Sequence, residues 1–553
     1  MAGGAVADVG FTPAGPVARP ASVKQSLPAI LVAAASAFGG VLFGYDTGTI
    51  SGLIVMPNFQ ETFGKPVPGS TTGAYALTTN DESLVVSILS AGTFVGALAG
   101  APISDILGRR WGMQVALLVF TIGVVMQMAT TDLGVFIGGR VVAGLGVGIL
   151  STIVPMYQSE TAPRWIRGAV VSGYQWAITI GLLCASLANN GTQSRKDSGA
   201  WRIPVGIQLA FAILLCGFFL ILPESPRWLV KKGNHEQASK SLARLNSTDV
   251  DDPIVRSELS VIQTNLDIEL THSTGSYLDC FKNNDRKYLL RAMTGIFIQA
   301  FQQLTGINFI FYYGTKFFKS TLPGTNPFIF SVISNVVNVV TTVPGMYMME
   351  RLGRRKLLIW GAVWMCVCEL IVAVVGTALP VQTLAGGETA VGTAVPVRNL
   401  AGGKTAIAFV CIYIAGFAST WGPAAWVVCG EIFPLAIRAK ALSLCTASNW
   451  LWNFGIGYAT PYLVDVGPGK AGLGPKVFFV WTGTCACCAV FAYLFIYETR
   501  LLSLEEVDEM YAQTTAIKSS AANAEIRARR SDLEGAVAPV KEDELATHDE
   551  KKY

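Results

Sequence analysis

Twelve apolar runs, each long enough to cross a bilayer, recur near residues 28–52, 84–103, 112–130, 134–156, 168–188, 203–222, 290–314, 327–349, 357–379, 405–429, 440–463 and 476–497. A helix of about 20 apolar residues spans the hydrocarbon core. Water is absent there, so each run must satisfy its own backbone, and a helix does so. The chain is therefore read as an all-α polytopic membrane protein. Its charge content agrees: 14% of 553 residues are charged, against 51% hydrophobic. A soluble chain would carry about a quarter charged residues. The net charge of +4 is small and gives no sign of a nucleic-acid partner. No nucleophile–base set and no metal-ligand cluster stands out, which argues against an enzyme and against a metal or other cofactor.

Orientation follows from the basic residues. Arg109 and Arg110, Arg164 and Arg167, Arg351, Arg354, Arg355 and Lys356, then Arg438 and Lys440, fall in alternate short loops. Those loops are expected to be cytoplasmic, with both termini. The expected divisions are a disordered tail over 1–26, a six-helix half over 27–222, a helical linker over 223–289, a second half over 290–497 and a tail over 498–553. No signal peptide is read at the start. In the linker, Asp252-Pro253 marks a helix start, and Val255, Leu259, Ile262 and Leu266 share one face. The tail is charged and poor in aromatics, and is expected to be disordered beyond Tyr511. Of the 11 cysteines, ten fall in or at the end of spans, so no disulfide framework is expected.

The halves repeat each other. SDILGRR (Ser104–Arg110) answers MERLGRR (Met349–Arg355), SETAPRWIRG (Ser159–Gly168) answers GEIFPLAIRA (Gly430–Ala439), and PESPR (Pro223–Arg227) answers YETRL (Tyr497–Leu501). Two such copies imply halves related by an axis along the membrane normal. A smaller tandem repeat, Thr377–Gly392 and Thr393–Ala408, reads as a lengthened outer loop. In the first run, Phe38–Gly52, Asp46 lies mid-span among Gly39, Gly40, Gly44, Gly48 and Gly52. A carboxylate at that depth costs roughly 2.5–3.5 kcal/mol on insertion scales, so it marks function. The glycines give a thin face for close approach.

FGYDTGTISG, the GRR after Asp105, GGRVVAGLGVG, PESPR, QQLTGIN, ERLGRR and YETR occur in that order. Together they resemble the sugar porter family of the major facilitator superfamily, most nearly its fungal hexose transporters, over roughly Leu27 to Tyr511. The resemblance implies a major facilitator fold of twelve transmembrane helices in two six-helix halves. It implies a monosaccharide substrate, a bilayer as solvent and function as a monomer.

A sugar site needs groups that both donate and accept, which amides do. Gln302, Gln303 and Asn308 cluster in QQLTGIN, where Gly306 allows a helix break. By resemblance the sugar contacts are Gln175, Gln302, Gln303, Asn308, Asn338, Trp426 and Asn449, with Tyr312 and Tyr313 as the outer gate. Asp105, Arg109, Glu160, Arg167, Glu350, Arg354, Glu431 and Arg438 resemble an inner gate built from both halves. The final motif departs from the family in Arg500-Leu501. Of three histidines none lies in a span, so a proton relay falls to the acids Asp46 and Glu369; the family pairs an aspartate matching Asp46 with an arginine matching Arg140, and the resemblance thus implies Asp46 as the proton-linked residue. Glu369 is a second acid in a span, with no partner the sequence can place. The sequon at Asn190 lies in an expected outer loop, that at Asn246 in the linker.

The resulting expectation is a plasma-membrane hexose transporter, glucose first, working by alternating access. Sugar/proton symport is favoured. A proton-independent facilitator and a glucose sensor are the alternatives, and the short tail argues against the sensor.

Overall fold

The computed structural model describes residues 23–66, 75–162, 166–270, 276–322, 324–378, 382–383, 397–398, 400–434 and 436–537. The expected tail over 1–26 lies almost wholly outside the described residues. So does most of the tandem loop repeat. Its two described fragments pair antiparallel, and Gln382 faces Arg398, the equivalent position of the other copy.

Ten helices among the described residues are long and apolar enough to cross a membrane. Two more complete the twelve. The seventh span is broken into Tyr288–Leu304 and Ile307–Thr321, each too short alone. The eleventh, Arg438–Val464, is long enough but carries Asn449 and Asn453. The spans in order are Val23–Ala37 with Gly39–Leu53, Thr79–Leu107, Arg109–Ala129, Leu133–Thr161, Arg167–Thr192, Gly199–Ile221, the split seventh, Pro327–Leu352, Arg354–Ala378, Leu400–Ser419 with Trp421–Glu431, Arg438–Val464 and Val477–Phe495.

Local chemistry sets these ends. Thr78 accepts from the Asp81 N–H at the second span, and Asp132 from Val135 at the fourth. Close packing follows from the glycines. A side chain at Gly44 would collide with the Ile178 carbonyl of the fifth span. Asn189 then reaches in to donate to the Gly48 and Thr49 carbonyls at 3.1 Å each. The halves meet chiefly where the second span packs against the eleventh and the fifth against the eighth, with first against seventh, fifth against tenth and fourth against eleventh beside them.

Between the halves, a helix starts at Pro253 with Asp252 accepting from Ile254 N–H at 2.8 Å. Val255, Ile262 and Leu266 bury together with Leu229, Val230 and Leu242, and Leu259 packs against them. The tail corrects the sequence reading. Instead of disorder beyond Tyr511, a helix runs Ser519–Val537. Asn523 donates to the Glu498 and Arg500 carbonyls at 3.0 Å, and Ser519 accepts from Glu498 N–H. Low aromatic content does not forbid a helix whose Ala-rich stretch favours the conformation and whose polar side chains dock it. Asn190 also differs from expectation: it closes the last turn of the fifth span, not a loop. Its side chain accepts from Gln193 at 2.9 Å.

Candidate functional site

The seventh span breaks where Thr305 ends one half-helix and Gly306 begins the next. Gly306 has φ +82°, a conformation that side chains oppose, and an added Cβ would strike the Trp481 ring. The break turns Gln302 and Gln303 on one side, and Asn308, Tyr312 and Tyr313 on the other, toward the eleventh span.

There the amides form one connected cluster. Asn308 donates to Gln303 Oε1, and Asn453 reaches the same oxygen at 3.3 Å. Gln303 donates to Gln302 Oε1 at 3.3 Å, and Asn449 to that oxygen at 2.7 Å. Gln302 donates to the Trp421 and Gly422 carbonyls at the break of the tenth span. Asn453 Oδ1 accepts from Tyr312 at 2.7 Å and from Ser90 of the other half at 2.8 Å. Every amide here is buried. Such groups are costly unless paired, and here they pair with one another, leaving Asn449 Oδ1 as the buried amide oxygen of the cluster without a partner.

Trp426 donates to Gln175 Oε1 at 3.2 Å across the halves, and Gln175 lies beside Gly422. Asn338 is fully buried on the eighth span, yet its side chain bonds to nothing. The Tyr313 hydroxyl donates to the Gly457 carbonyl at 2.7 Å. Two members were not among the sequence candidates. Gln299 accepts from Asn449 at 2.7 Å, and the signal was its place one turn before Gln302 on the same face. Asn453, one turn beyond Asn449 on the eleventh span, joins both halves through Ser90 and Tyr312.

Asp46 and Arg140 face each other at 3.5 Å, both buried. Neither carboxylate oxygen has a hydrogen bond, and Arg140 Nε and one terminal nitrogen are also unbonded. This is an ion pair with loose geometry, held in a place where geometry decides whether pairing offsets desolvation.

The basic-loop face carries two matched charge clusters. Arg109 grips Glu160 with two bonds of 2.9 and 2.8 Å, and Ser225 donates to the same carboxylate. Arg354 grips Glu431 at 3.1 and 2.8 Å, with Thr499 donating at 2.6 Å. Glu224 accepts the N–H groups of Arg109 and Arg110, as Glu498 does those of Arg354 and Arg355. Each of these carboxylates fills the space of a missing Cβ at Gly108 or Gly353. Burial pushes the Glu224 and Glu498 carboxyls above their ordinary range, against the pull of Arg109 and Arg354. Glu224, Ser225, Glu498 and Thr499 were not candidates. The repeat of PESPR in YETRL was their signal.

The sequence reading expected an inner gate built from both halves; within it, Arg109 and Arg354 each grip the glutamate of their own half. The crossings are made elsewhere. Asp105 binds Lys440, and also Lys231 at 3.3 Å. Glu350, itself bonded to Arg354, accepts the Ala169 N–H at 3.1 Å. Ala169 and Lys440 occupy equivalent repeat positions. Arg167 is buried at the start of the fifth span, and Arg438 donates to the Phe433 carbonyl.

The opposite face is tied as well. Lys316 of the seventh span bridges Glu82 of the second at 2.9 Å and Asp465 at 3.1 Å. Ser51 and Thr315 touch at 3.3 Å. With both faces crossed, the central cluster is occluded. Removing the clamp by Lys316→Met should expose this face. With Ser51→Cys as reporter, labelling by an impermeant thiol reagent should rise about fivefold, the weight of about 1 kcal/mol for a partly exposed pair. Unchanged labelling would show that the ion pairs do not hold the face shut.

The family model described as "Sugar (and other) transporter" matches residues 32–511. The chain belongs to this sugar transporter family of the major facilitator superfamily. Among relatives, the major facilitator-type transporter ecdD of Aspergillus rugulosus is 48% identical over 90% of this chain and 90% of its own. The probable glucose transporter rco-3 of Neurospora crassa is 42% identical, covering 88% and 80%. The high glucose sensor RGT2 of Saccharomyces cerevisiae is 41% identical over 93% of this chain and 64% of its own. Among solved structures, the proton:xylose symporter XylE bound to 6-bromo-6-deoxy-D-glucose superposes with a TM-score of 0.73 at 27% identity, covering 88% of this sugar transporter and 99% of the other chain. The major facilitator fold of twelve helices follows, and with it a multi-pass membrane transporter rather than an enzyme.

Proposed function

We propose that this transporter moves hexose, glucose first, across the plasma membrane by alternating access, with its basic-loop face and both termini in the cytoplasm. The observation that carries the reading is the occluded amide cluster, fed by both breaks and by both halves. Gln302, Gln303, Asn308 and Asn449 are linked by hydrogen bonds, with Gln302 also donating to the tenth-span carbonyls and Asn449 to Gln299. Sugar hydroxyls, which donate and accept, can take over those bonds without leaving an amide unpaired. Gln175, Asn338 and Trp426 supply the remaining contacts, and the Trp426 ring offers an apolar face. Tyr312 and Tyr313 act as the outer gate, since both sit on the half-helix beyond the Gly306 break. The crossings Asp105–Lys440 and Glu350–Ala169 must part for the inner side to open, and the matched clusters keep each half rigid while they do. Asn190 is the glycan acceptor. Transport is as a monomer.

Proton symport is the favoured mode. The buried Asp46–Arg140 pair supports it, and one solved relative is a proton:xylose symporter. The test is labelled glucose uptake in yeast lacking its own hexose transporters, at acid and neutral external pH, with and without a protonophore. Uptake that is strong in acid and collapses with the protonophore is expected. Uptake indifferent to both would make the protein a facilitator. A surface-located protein that carries no sugar would favour a sensor, a reading to which the 41% identity with a glucose sensor lends weight.

A further inference from the structure

Glu369 lies inside the ninth span, 1% exposed, and neither of its carboxylate oxygens has a hydrogen-bond partner. No cation pairs with it among the described residues. The titratable groups around it are Tyr413 of the tenth span, Cys485 of the twelfth, and Cys366 and Cys368 of its own helix. The two neighbours across from it are already committed. The Tyr413 hydroxyl donates its only proton to the Thr305 carbonyl at 2.6 Å. The Cys485 thiol points at the same carbonyl at 3.9 Å. Both therefore turn acceptor lone pairs, not protons, toward Glu369. A carboxylate there would be a bare charge in the membrane facing acceptors, the arrangement that buried ions avoid. A carboxylic acid fits, because it brings the one donor the cluster lacks.

We propose that Glu369 holds a proton in the resting transporter and donates through Tyr413 to the carbonyl at the seventh-span break. It is a positioning residue. The Tyr413 O–H to Thr305 C=O bond is in place, and the proposed proton on Glu369 adds the donor that extends it to Glu369 O–H; Thr305 is the last residue before Gly306. The acid thereby fixes the joint on which the outer half-helix, with Asn308, Tyr312 and Tyr313, is hung. This proton site is separate from Asp46, which belongs to the other half.

Infrared difference spectroscopy of the full transporter in lipid nanodiscs tests the protonation directly. A protonated-carboxyl C=O band is expected at neutral pH. It should shift in heavy water, disappear in Glu369→Gln and move in frequency in Tyr413→Phe. Uptake gives the second readout. Glu369→Gln keeps a donor and should transport like the parent. Glu369→Met has none, and maximal uptake should fall about three- to tenfold, the weight of one buried hydrogen bond. Surface quantity, measured in parallel, corrects for folding. Absence of the band, or a band unmoved by both substitutions, would overturn the assignment. Equal transport by Glu369→Gln and Glu369→Met would overturn the positioning role.

Discussion

Asp46→Asn should abolish acid-driven accumulation of sugar while leaving exchange of sugar across the membrane near the parent rate. The substitution is close to isosteric and removes only the ability to carry charge and proton. In the parent, burial opposes the charged carboxylate and Arg140 at 3.5 Å favours it. Arg140 reaches the carboxylate through one loose contact, and no hydrogen bond holds either oxygen. On the proposed symport mechanism, a proton on Asp46 cancels the charge that Arg140 faces, and its release restores that charge. With one proton per sugar, each unit of imposed pH gradient supports about tenfold accumulation, or about 1.4 kcal/mol. In Asp46→Asn the ratio should fall to one. Counterflow with equal pH on both sides separates coupling from transport. Accumulation surviving in the mutant would remove Asp46 from the mechanism.

The second large effect is on stability. Arg354→Ala strips the partner from Glu431, buried with 5% exposure, and removes the side chain that also bonds Glu350. Breaking a buried pair from one side costs about 3–5 kcal/mol, because the remaining charge has no water to return to. Thermal unfolding of the solubilised protein should show this loss, and Arg109→Ala should show a similar one through Glu160. Adding Glu431→Gln to Arg354→Ala should restore part of it. Arg351, which lies over the Tyr347 ring, is the control, and its alanine variant should stay within about 0.5 kcal/mol of the parent. If Arg354→Ala unfolds with Arg351→Ala, the clusters do not stabilise the halves.

The spans were legible because spanning length and apolarity are nearly sufficient conditions in a membrane. The internal repeat was legible because both halves solve the same problem with the same motifs. It also held more than was drawn from it: Glu224 and Glu498 were visible as matched letters, but only the fold shows their carboxylates capping the backbone beside Gly108 and Gly353. Pairing was the least legible property. An arginine read from sequence has no direction: acids and arginines of both halves were expected in one network, and only the structure shows Arg109 and Arg354 gripping Glu160 and Glu431 of their own halves. Gln299 and Asn453 were obscured for a related reason. A polar residue in a span can serve a neighbouring helix or a ligand, and its spacing alone does not separate the two. The Ser519–Val537 helix escaped because composition reports on core-forming residues, whereas this segment docks by Asn523 and Ser519.

The two crossings on the basic-loop face differ in how they can be lost over generations. Asp105 depends on the side chain of Lys440, so a single codon change at either position erases that link. Glu350 instead holds the main-chain amide of residue 169, which every amino acid except proline supplies. Position 169 can drift freely under mutation with the contact intact, and only position 350 is answerable to selection for it. One half of the seam is thus heritable through two residues and the other through one, so divergent lineages should shed the lysine crossing first.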